Sequence, residues 1–309
     1  MKVITVGEML VEVMRKDVDS PLDEPGEFVG PFPSGAPAIF IDAVAKLGMD
    51  SGIIGGIGDD EFGDCLSKRL KRDGVSLSGV KVDGELSTGV AFVSYFADGS
   101  RKFLYHMGNS AAGVITEGDV TRSSVKDADL LHINGSSLAM GEGMRGACYE
   151  AVEIAEEEGI EISFDPNLRT ELLGVEKTRE ICSPVLESCD LFIPGADELL
   201  GITGDSTEGE AVESVLKKGV DIVAVKDGQA GCKIYTQKQT VRADAFDVEE
   251  VDPTGAGDAF SAAIAVGWLE EMDLEYLSLF ANAVGGMAVT GKGPMEGLPD
   301  RARVEAMIE

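Results

Sequence analysis

Near its C-terminus the chain reads Val251-Asp252-Pro253-Thr254-Gly255-Ala256-Gly257-Asp258-Ala259-Phe260-Ser261-Ala262-Ala263. The small-residue turn Gly255-Ala256-Gly257 runs into a stretch predicted to be helical from Asp258 to about Glu271. Several unpaired backbone N–H groups therefore converge at the positive end of a helix dipole, an arrangement that receives anions. A side chain at Gly255 or Gly257 would restrict the turn and hold the backbone away from a phosphate. Asp258 puts a carboxylate where a phosphoryl group would arrive. That is counterproductive for simple anion binding but suits aiming and deprotonating a hydroxyl nucleophile, so turn and carboxylate together point to phosphoryl transfer. Over these few residues, an aspartate N-cap after a glycine-rich turn would look the same.

Metal and thiol chemistry have little footing elsewhere. Cys65, Cys148, Cys182, Cys189 and Cys232 are odd in number and lack C-x-x-C spacing, so they read as reduced thiols rather than a disulfide framework or a zinc site. His106 and His132 are far apart and unaccompanied, and His132 lies in an apolar run that marks it as a core residue. The 26 Lys plus Arg against 56 Asp plus Glu give a net charge of −30. A field of that sign repels nucleic-acid backbones and anionic lipid, so neither nucleic acid nor membrane is an expected partner. Any anionic ligand must be met by local cations or N–H groups.

A chain of 309 residues with 44% apolar and 27% charged residues can bury a large core. It is read as one α/β domain, 1–309. Glu8 and Glu12 stand where a signal peptide would be apolar, and no run approaches the roughly 18 apolar residues of a membrane span, so a cytoplasmic protein is expected.

Short apolar runs alternate with segments of helical period, which predicts a three-layer, Rossmann-like, mostly parallel sheet flanked by helices. The strand candidates are Val3 to Val6, Gly52 to Gly56, Asp129 to Asn134, Ile160 to Asp165, Leu191 to Ile193 and Asp221 to Val225, with Cys232 to Tyr235 beyond a turn. Ser34 is the predicted N-cap of a helix closed by Gly48, and a second helix runs from Glu142 to Glu158 before Gly159. Residues 10–32 and 88–106 break the alternation. The second reads as strands Gly89 to Phe96 and Lys102 to Tyr105 around Ala97-Asp98-Gly99-Ser100, and the two segments are expected to form a small β lid. Gly56-x-Gly58 is no dinucleotide fingerprint, because Glu61 takes the third glycine's place and Asp59 and Asp60 would face the pyrophosphate.

The C-terminal segment resembles the D-T-x-G-A-G-D signature of the ribokinase-like (PfkB) carbohydrate kinases, and other segments resemble that family in order along nearly the whole chain. Ser34-Gly35-Ala36-Pro37-Ala38 and Gly55 to Gly63 are similar to its N-terminal signature, Phe164 to Arg169 to its D-x-N-x-R strand end, and Lys226 to Gly231 to its K-x-G-x-x-G turn. The resemblance implies a ribokinase-like fold, ATP and Mg²⁺. It implies Asp258 as general base, Gly255, Ala256 and Gly257 as the anion hole, and Lys226, Gly228, Gly231, Thr254 and Asn282 around the nucleotide. It also implies Glu198 and Asp252 near the cation, although Gly195 stands where the family has Asn.

For the sugar, the resemblance implies Glu8, Gly35, Tyr105 and Arg169, with His106 as a further lid donor. Ile39 replaces a family Asn and cannot bond a hydroxyl. The nearest branch holds fructokinases and 2-keto-3-deoxygluconate kinases. The latter carry a Tyr-Tyr-Arg lid strand, whereas this chain has Leu104-Tyr105-His106, so a carboxylate contact is missing and a ketohexose such as fructose or tagatose moves ahead. The keto-deoxy acid is the alternative, and a non-catalytic nucleotide sensor is the alternative of another class. A homodimer through the lid is expected.

Overall fold

The computed structural model describes residues 1–168 and 173–309. Strands β1 (Lys2–Val6), β4 (Asp50–Gly58), β5 (Ser76–Asp83), β8 (Leu130–Asn134), β9 (Glu161–Asp165), β10 (Leu191–Phe192), β11 (Ile222–Lys226), β12 (Cys232–Tyr235) and β13 (Thr240–Ala243) form one sheet in the order β13-β12-β11-β10-β9-β8-β1-β4-β5. From β11 to β5 every pairing is parallel, and β12 and β13 add an antiparallel edge. Apolar residues fill both faces of the central strands, as helix-covered parallel sheets require. One face packs under helices Ala36–Lys46, Ala256–Leu269 and Leu274–Ala288. The other packs under Glu142–Glu158, Val175–Ser188 and Glu208–Leu216.

The predicted strands of this sheet are present, with ends within a residue or two. Two strands escaped prediction: β5 and β13 lie at its edges, and β5 mixes polar and half-buried positions with no clean period. Ser34 is not the predicted N-cap. Gly35 takes that place at φ 106, while Ser34 ends a strand and donates its hydroxyl to Glu12 Oε1 at 2.6 Å. A Cβ on Gly35 would lie 2.6 Å from the Glu8 carbonyl oxygen, so only glycine fits this close approach.

A second sheet, ordered β3-β2-β6-β7, is the lid: β2 (Leu10–Arg15), β3 (Phe28–Ser34), β6 (Gly89–Tyr95) and β7 (Arg101–His106). β2 and β6 pair in parallel, Leu10 opposite Gly89 and Glu12 opposite Ala91. β6 and β7 are antiparallel, with Ala91, Val93 and Tyr95 opposite Tyr105, Phe103 and Arg101. Alternation along a strand then gives one lid face Leu10, Glu12, Tyr95, Arg101, Phe103 and Tyr105, and the other face Phe92, Leu104 and His106. Among the described residues, no helix is long and apolar enough to cross a membrane.

Candidate active site

The C-terminal ends of the parallel strands meet the lid at the mouth of a cavity of about 580 Å³. Glu8 follows β1, Ser136 follows β8, Asp165 closes β9 and Lys226 closes β11, and all four line it, as ligand-binding groups of open α/β sheets do. Glu8 is buried and accepts hydrogen bonds from Ser136 Oγ at 2.7 Å and Ser137 Oγ at 2.5 Å. From the lid come Leu10, Glu12, Arg101, Phe103 and Tyr105, with Tyr105 stacked on Phe103 at 5.5 Å between centroids. A second cavity of about 620 Å³ has walls of Phe246, Val248, Phe260 and Val289 with Gly228, Gly231, Gly285 and Gly286. Lys226, Pro253 and Gly257 line both cavities, so the two spaces adjoin at the glycine turn.

That turn is fixed from behind. Gly255 is left-handed at φ 85, and a Cβ there would lie 2.4 Å from the Pro294 carbonyl oxygen and 3.2 Å from Ile39 Cγ2. The helix begins at Ala256, two residues earlier than predicted, so the N–H groups of Gly257 and Asp258 belong to its unpaired first turn, while Ala256 N donates to the Pro253 carbonyl oxygen at 3.5 Å. Asp258 is buried beside the first cavity, and Asn167 Nδ2 donates to its Oδ1 at 3.1 Å. Ile39 backs Gly255 and lines the same cavity, so the apolar side chain in place of the family Asn supports the turn.

Two polar clusters brace the turn. On the core side, Asp165 Oδ2 accepts from Lys226 Nζ at 2.6 Å and from Ser261 Oγ at 2.8 Å. Burial alone would favour neutral Lys226, but the Asp165 and Glu198 carboxylates outweigh it and raise the ammonium pKa, so Lys226 stays charged. On the lid side, Asp252 is buried and accepts from Thr254 N at 3.0 Å, Gly293 N at 3.0 Å and the Tyr95 hydroxyl at 3.0 and 3.1 Å. Burial, with Asp252 adding to it, pushes the Tyr95 pKa up and keeps it a donor. Arg101 Nη1 donates to Thr254 Oγ1 at 2.9 Å.

Most residues singled out in the sequence meet here. Asp258, Gly255, Gly257, Thr254, Glu8, Gly35, Tyr105 and Glu198 line the first cavity, and Ala256, Gly228, Gly231 and Asn282 the second. Glu198 caps its own helix, accepting from Gly195 N at 2.7 Å, and takes a second bond from Leu168 N at 2.9 Å. Asn282 spends its amide on the carbonyls of Ala243 and Asp244, both at 3.1 Å, and so holds a wall of the second cavity. Arg169 lies outside the described residues. His106 packs edge-on against Phe92 on the lid's other face, 5.9 Å between centroids, which excludes it from the cavity; alternation from Tyr105 dictates this.

Tyr95, Arg101, Ser136, Ser137 and Asn167 were given no role from sequence. For Tyr95 and Arg101 the signal was available, because strand alternation with Tyr105 puts them on the cavity face once the β6–β7 register is known. For Ser136 and Ser137, polar residues just past a buried strand, nothing local marks them.

This chain belongs to the pfkB family of carbohydrate kinases, whose model matches residues 1–301. It is 34% identical over 316 residues to fructokinase-1 of Oryza sativa subsp. japonica, covering 99% of this chain and 97% of that one. A crystal structure from E. coli, described as a ribokinase II in complex with ATP and Mg²⁺, superposes with a TM-score of 0.95 at 41% identity, covering 99% of this chain and 98% of the other. The 2-dehydro-3-deoxygluconokinase of Thermotoga maritima shares the fold, with a TM-score of 0.91 at 22% identity over 100% of this chain and 98% of its own. The protein is an ATP-dependent sugar kinase, a phosphotransferase acting on a sugar hydroxyl.

Proposed function

We propose that the enzyme phosphorylates a primary hydroxyl of a ketohexose, fructose or tagatose, from MgATP. The observation that carries this reading is the junction of the two cavities: Asp258 and Gly257 stand between a space lined by carboxylates and hydroxyls and one walled by apolar residues and glycines. Buried carboxylates such as Glu8, aligned by Ser136 and Ser137, accept from neutral sugar hydroxyls and disfavour an anion. The second cavity, with Phe246, Val248, Phe260 and Val289 in its walls, fits a base, with Asn282 holding its wall.

Asp258 accepts the hydroxyl proton as the sugar oxygen attacks the γ-phosphorus and the bond to the bridging oxygen of ADP breaks. The N–H groups at Gly255 to Gly257 receive the charge on the migrating group, and Lys226 balances it from the core side. Mg²⁺ would be held by phosphate oxygens and water, with Glu198 in the cavity lining to orient that water. Bound there, the ion supplies charge neutralisation. Asp252, expected beside the cation, also holds the turn by accepting from Tyr95, Thr254 and Gly293.

A keto-deoxy sugar acid is the second reading, because Arg101 brings a cation to the sugar cavity. We further propose a cytoplasmic homodimer joined through the outer lid faces, where Phe28 and Leu104 are exposed. Sugar-dependent ADP release from fructose, tagatose, ribose, the keto-deoxy acid and nucleosides tests the substrate. Asp258→Ala should lower kcat by about 10²- to 10⁴-fold while leaving nucleotide binding measurable. Near wild-type turnover would remove the base from its role.

A further inference from the structure

We infer that Asn167 is a positioning residue for the base: its side-chain amide holds the Asp258 carboxylate in place as the acceptor of the sugar proton. The inference rests on the sugar-kinase reading above and concerns a residue that acts through Asp258.

Asn167 stands two residues past the end of β9, in the lining of the first cavity. Its backbone is left-handed, φ 33, a conformation that few residues besides Gly, Asn and Asp adopt. Asp165 Oδ1 accepts from Asn167 N at 3.0 Å and pins this turn. So placed, Asn167 Nδ2 donates to Asp258 Oδ1 at 3.1 Å. An ionised carboxylate only accepts, so of the two ends of the amide the nitrogen must face it.

Both partners of this bond are fastened to one further carboxylate. Ser261 lies three residues after Asp258, on the same side of helix Ala256–Leu269, and donates to Asp165 Oδ2 at 2.8 Å. Asp165 thus holds the backbone of Asn167 through one oxygen and the helix that carries Asp258 through the other, closing a ring of hydrogen bonds around the contact. A left-handed asparagine persists where its surroundings over-determine it, and here it delivers a donor aimed at the base.

The charges in the cavity wall give that donor its work. Lys226 attracts Asp258, but its ammonium is committed to Asp165 at 2.6 Å, and Asp165 and Glu198 are carboxylates in the same lining. An N–H on Oδ1 stabilises ionised Asp258 beside these like charges and stops the carboxylate from turning. A carboxylate has about four acceptor sites, so a bond at Oδ1 leaves it able to take the sugar hydroxyl. As the sugar oxygen bonds to phosphorus and the bridging oxygen departs with ADP, the proton passes to a group already in line.

The test compares wild type, Asn167→Gly, Asn167→Ala and Asn167→Asp. Glycine keeps the left-handed turn and removes only the amide, alanine removes the amide and strains the turn as well, and aspartate keeps the shape but presents an acceptor. Coupled ADP-release kinetics are run across pH at saturating MgATP, with whichever sugar of the panel the wild type turns over. The Asp258 carboxyl carbon is titrated by carbon-13 NMR in the sugar-free protein and assigned by the signal missing from Asp258→Asn. Asn167→Gly should lose about 10- to 100-fold in kcat, with sugar KM within about threefold. Loss of a hydrogen bond to the charged form should move the acid limb of kcat/KM and the carbon-13 titration up by about one to two pH units, and Asn167→Asp should move them further. Wild-type kcat and an unmoved titration in Asn167→Gly would overturn the inference, as would a raised sugar KM at unchanged kcat, which would assign Asn167 to the sugar. A loss in Asn167→Ala that Asn167→Gly does not share would also overturn it, placing the role in the backbone turn. A wild type that releases no ADP with any sugar would strike the kinase reading itself, while the carbon-13 titration would still decide whether the amide holds Asp258.

Discussion

Gly255→Ala should injure the enzyme twice, once in stability and once in turnover, and the two losses can be worked separately. At φ 85, a residue with a Cβ carries the left-handed penalty, about 1–2 kcal/mol. The new methyl would sit 2.4 Å from the Pro294 carbonyl oxygen and 3.2 Å from Ile39 Cγ2. Contact below 3 Å with backbone cannot be relieved by a rotamer change, so the turn or the Pro294 segment must move, adding roughly 1–3 kcal/mol of overpacking. The sum is a loss of about 2–5 kcal/mol. A displacement of the cradle approaching 1 Å costs about 10² in kcat even where no contact to substrate is removed. Gly257→Ala is the control. Gly257 is not left-handed, and its Cβ would make ordinary contact with the Lys226 side chain, Nζ at 3.7 Å and Cδ at 3.9 Å, so the variant should keep its urea midpoint while kcat falls, because the methyl stands at the junction of the two cavities. Urea titration followed by circular dichroism, with ADP release at saturating sugar and ATP, reads both quantities. A Gly255→Ala protein with an unchanged midpoint and kcat within threefold of wild type would refute the argument that this backbone conformation builds the anion site.

Two further expectations concern the frame around the site. Arg69 is buried, forms ion pairs with Asp42, Asp73 and Glu296, and donates to the Met295 carbonyl oxygen at 2.6 Å, behind the Pro294 contact to Gly255. Burial raises the Asp42 pKa to about 7 against the pull of Arg69, so Arg69→Met should cost about 3–5 kcal/mol in urea, with Asp42→Leu added in the same chain recovering part; no loss would show the network to be idle. His132 is fully buried, and burial, with Lys226 adding to it, lowers its pKa from 6.5 to about 3. The unfolded chain then takes up a proton that the folded chain refuses, so this contribution to stability is complete above about pH 6.5 and drains as the pH falls toward 3. By pH 5.5 the loss amounts to about 1.4 kcal/mol, and His132→Gln should shrink the stability difference between pH 7.5 and 5.5 by that amount; an equal difference in both proteins would refute it.

The main sheet was legible because its strands are buried on both faces and read as short apolar runs, and the glycine turn because small residues before a helix have few other uses. The edge strands β5 and β13 were not, since half-exposed strands lose that contrast. The lid's two segments were visible as breaks in the alternation. Their parallel β2–β6 pairing was not, because which strands of distant segments adjoin depends on tertiary packing. At the site, Gly255 in its turn could be found from local sequence, and Glu8 after its strand from the resemblance to the family. Those acting through a long side chain from another element, Arg101 and Tyr95 reaching Thr254 and Asp252, needed the register of a hairpin and the approach of one sheet to another.

Because β2 and β6 run side by side while lying on either side of the β4–β5 stretch in sequence, the lid is not a contiguous cassette. Swapping it between relatives requires exchanging two separate pieces of gene together, and a chimera that carries only one pairs a native strand with a foreign neighbour along its whole length. Changes of sugar preference built on this scaffold should therefore come from paired alterations at residues 10–34 and 89–106. During synthesis, the β2–β3 hairpin must wait with one edge of β2 unpaired until β6 and β7 leave the ribosome.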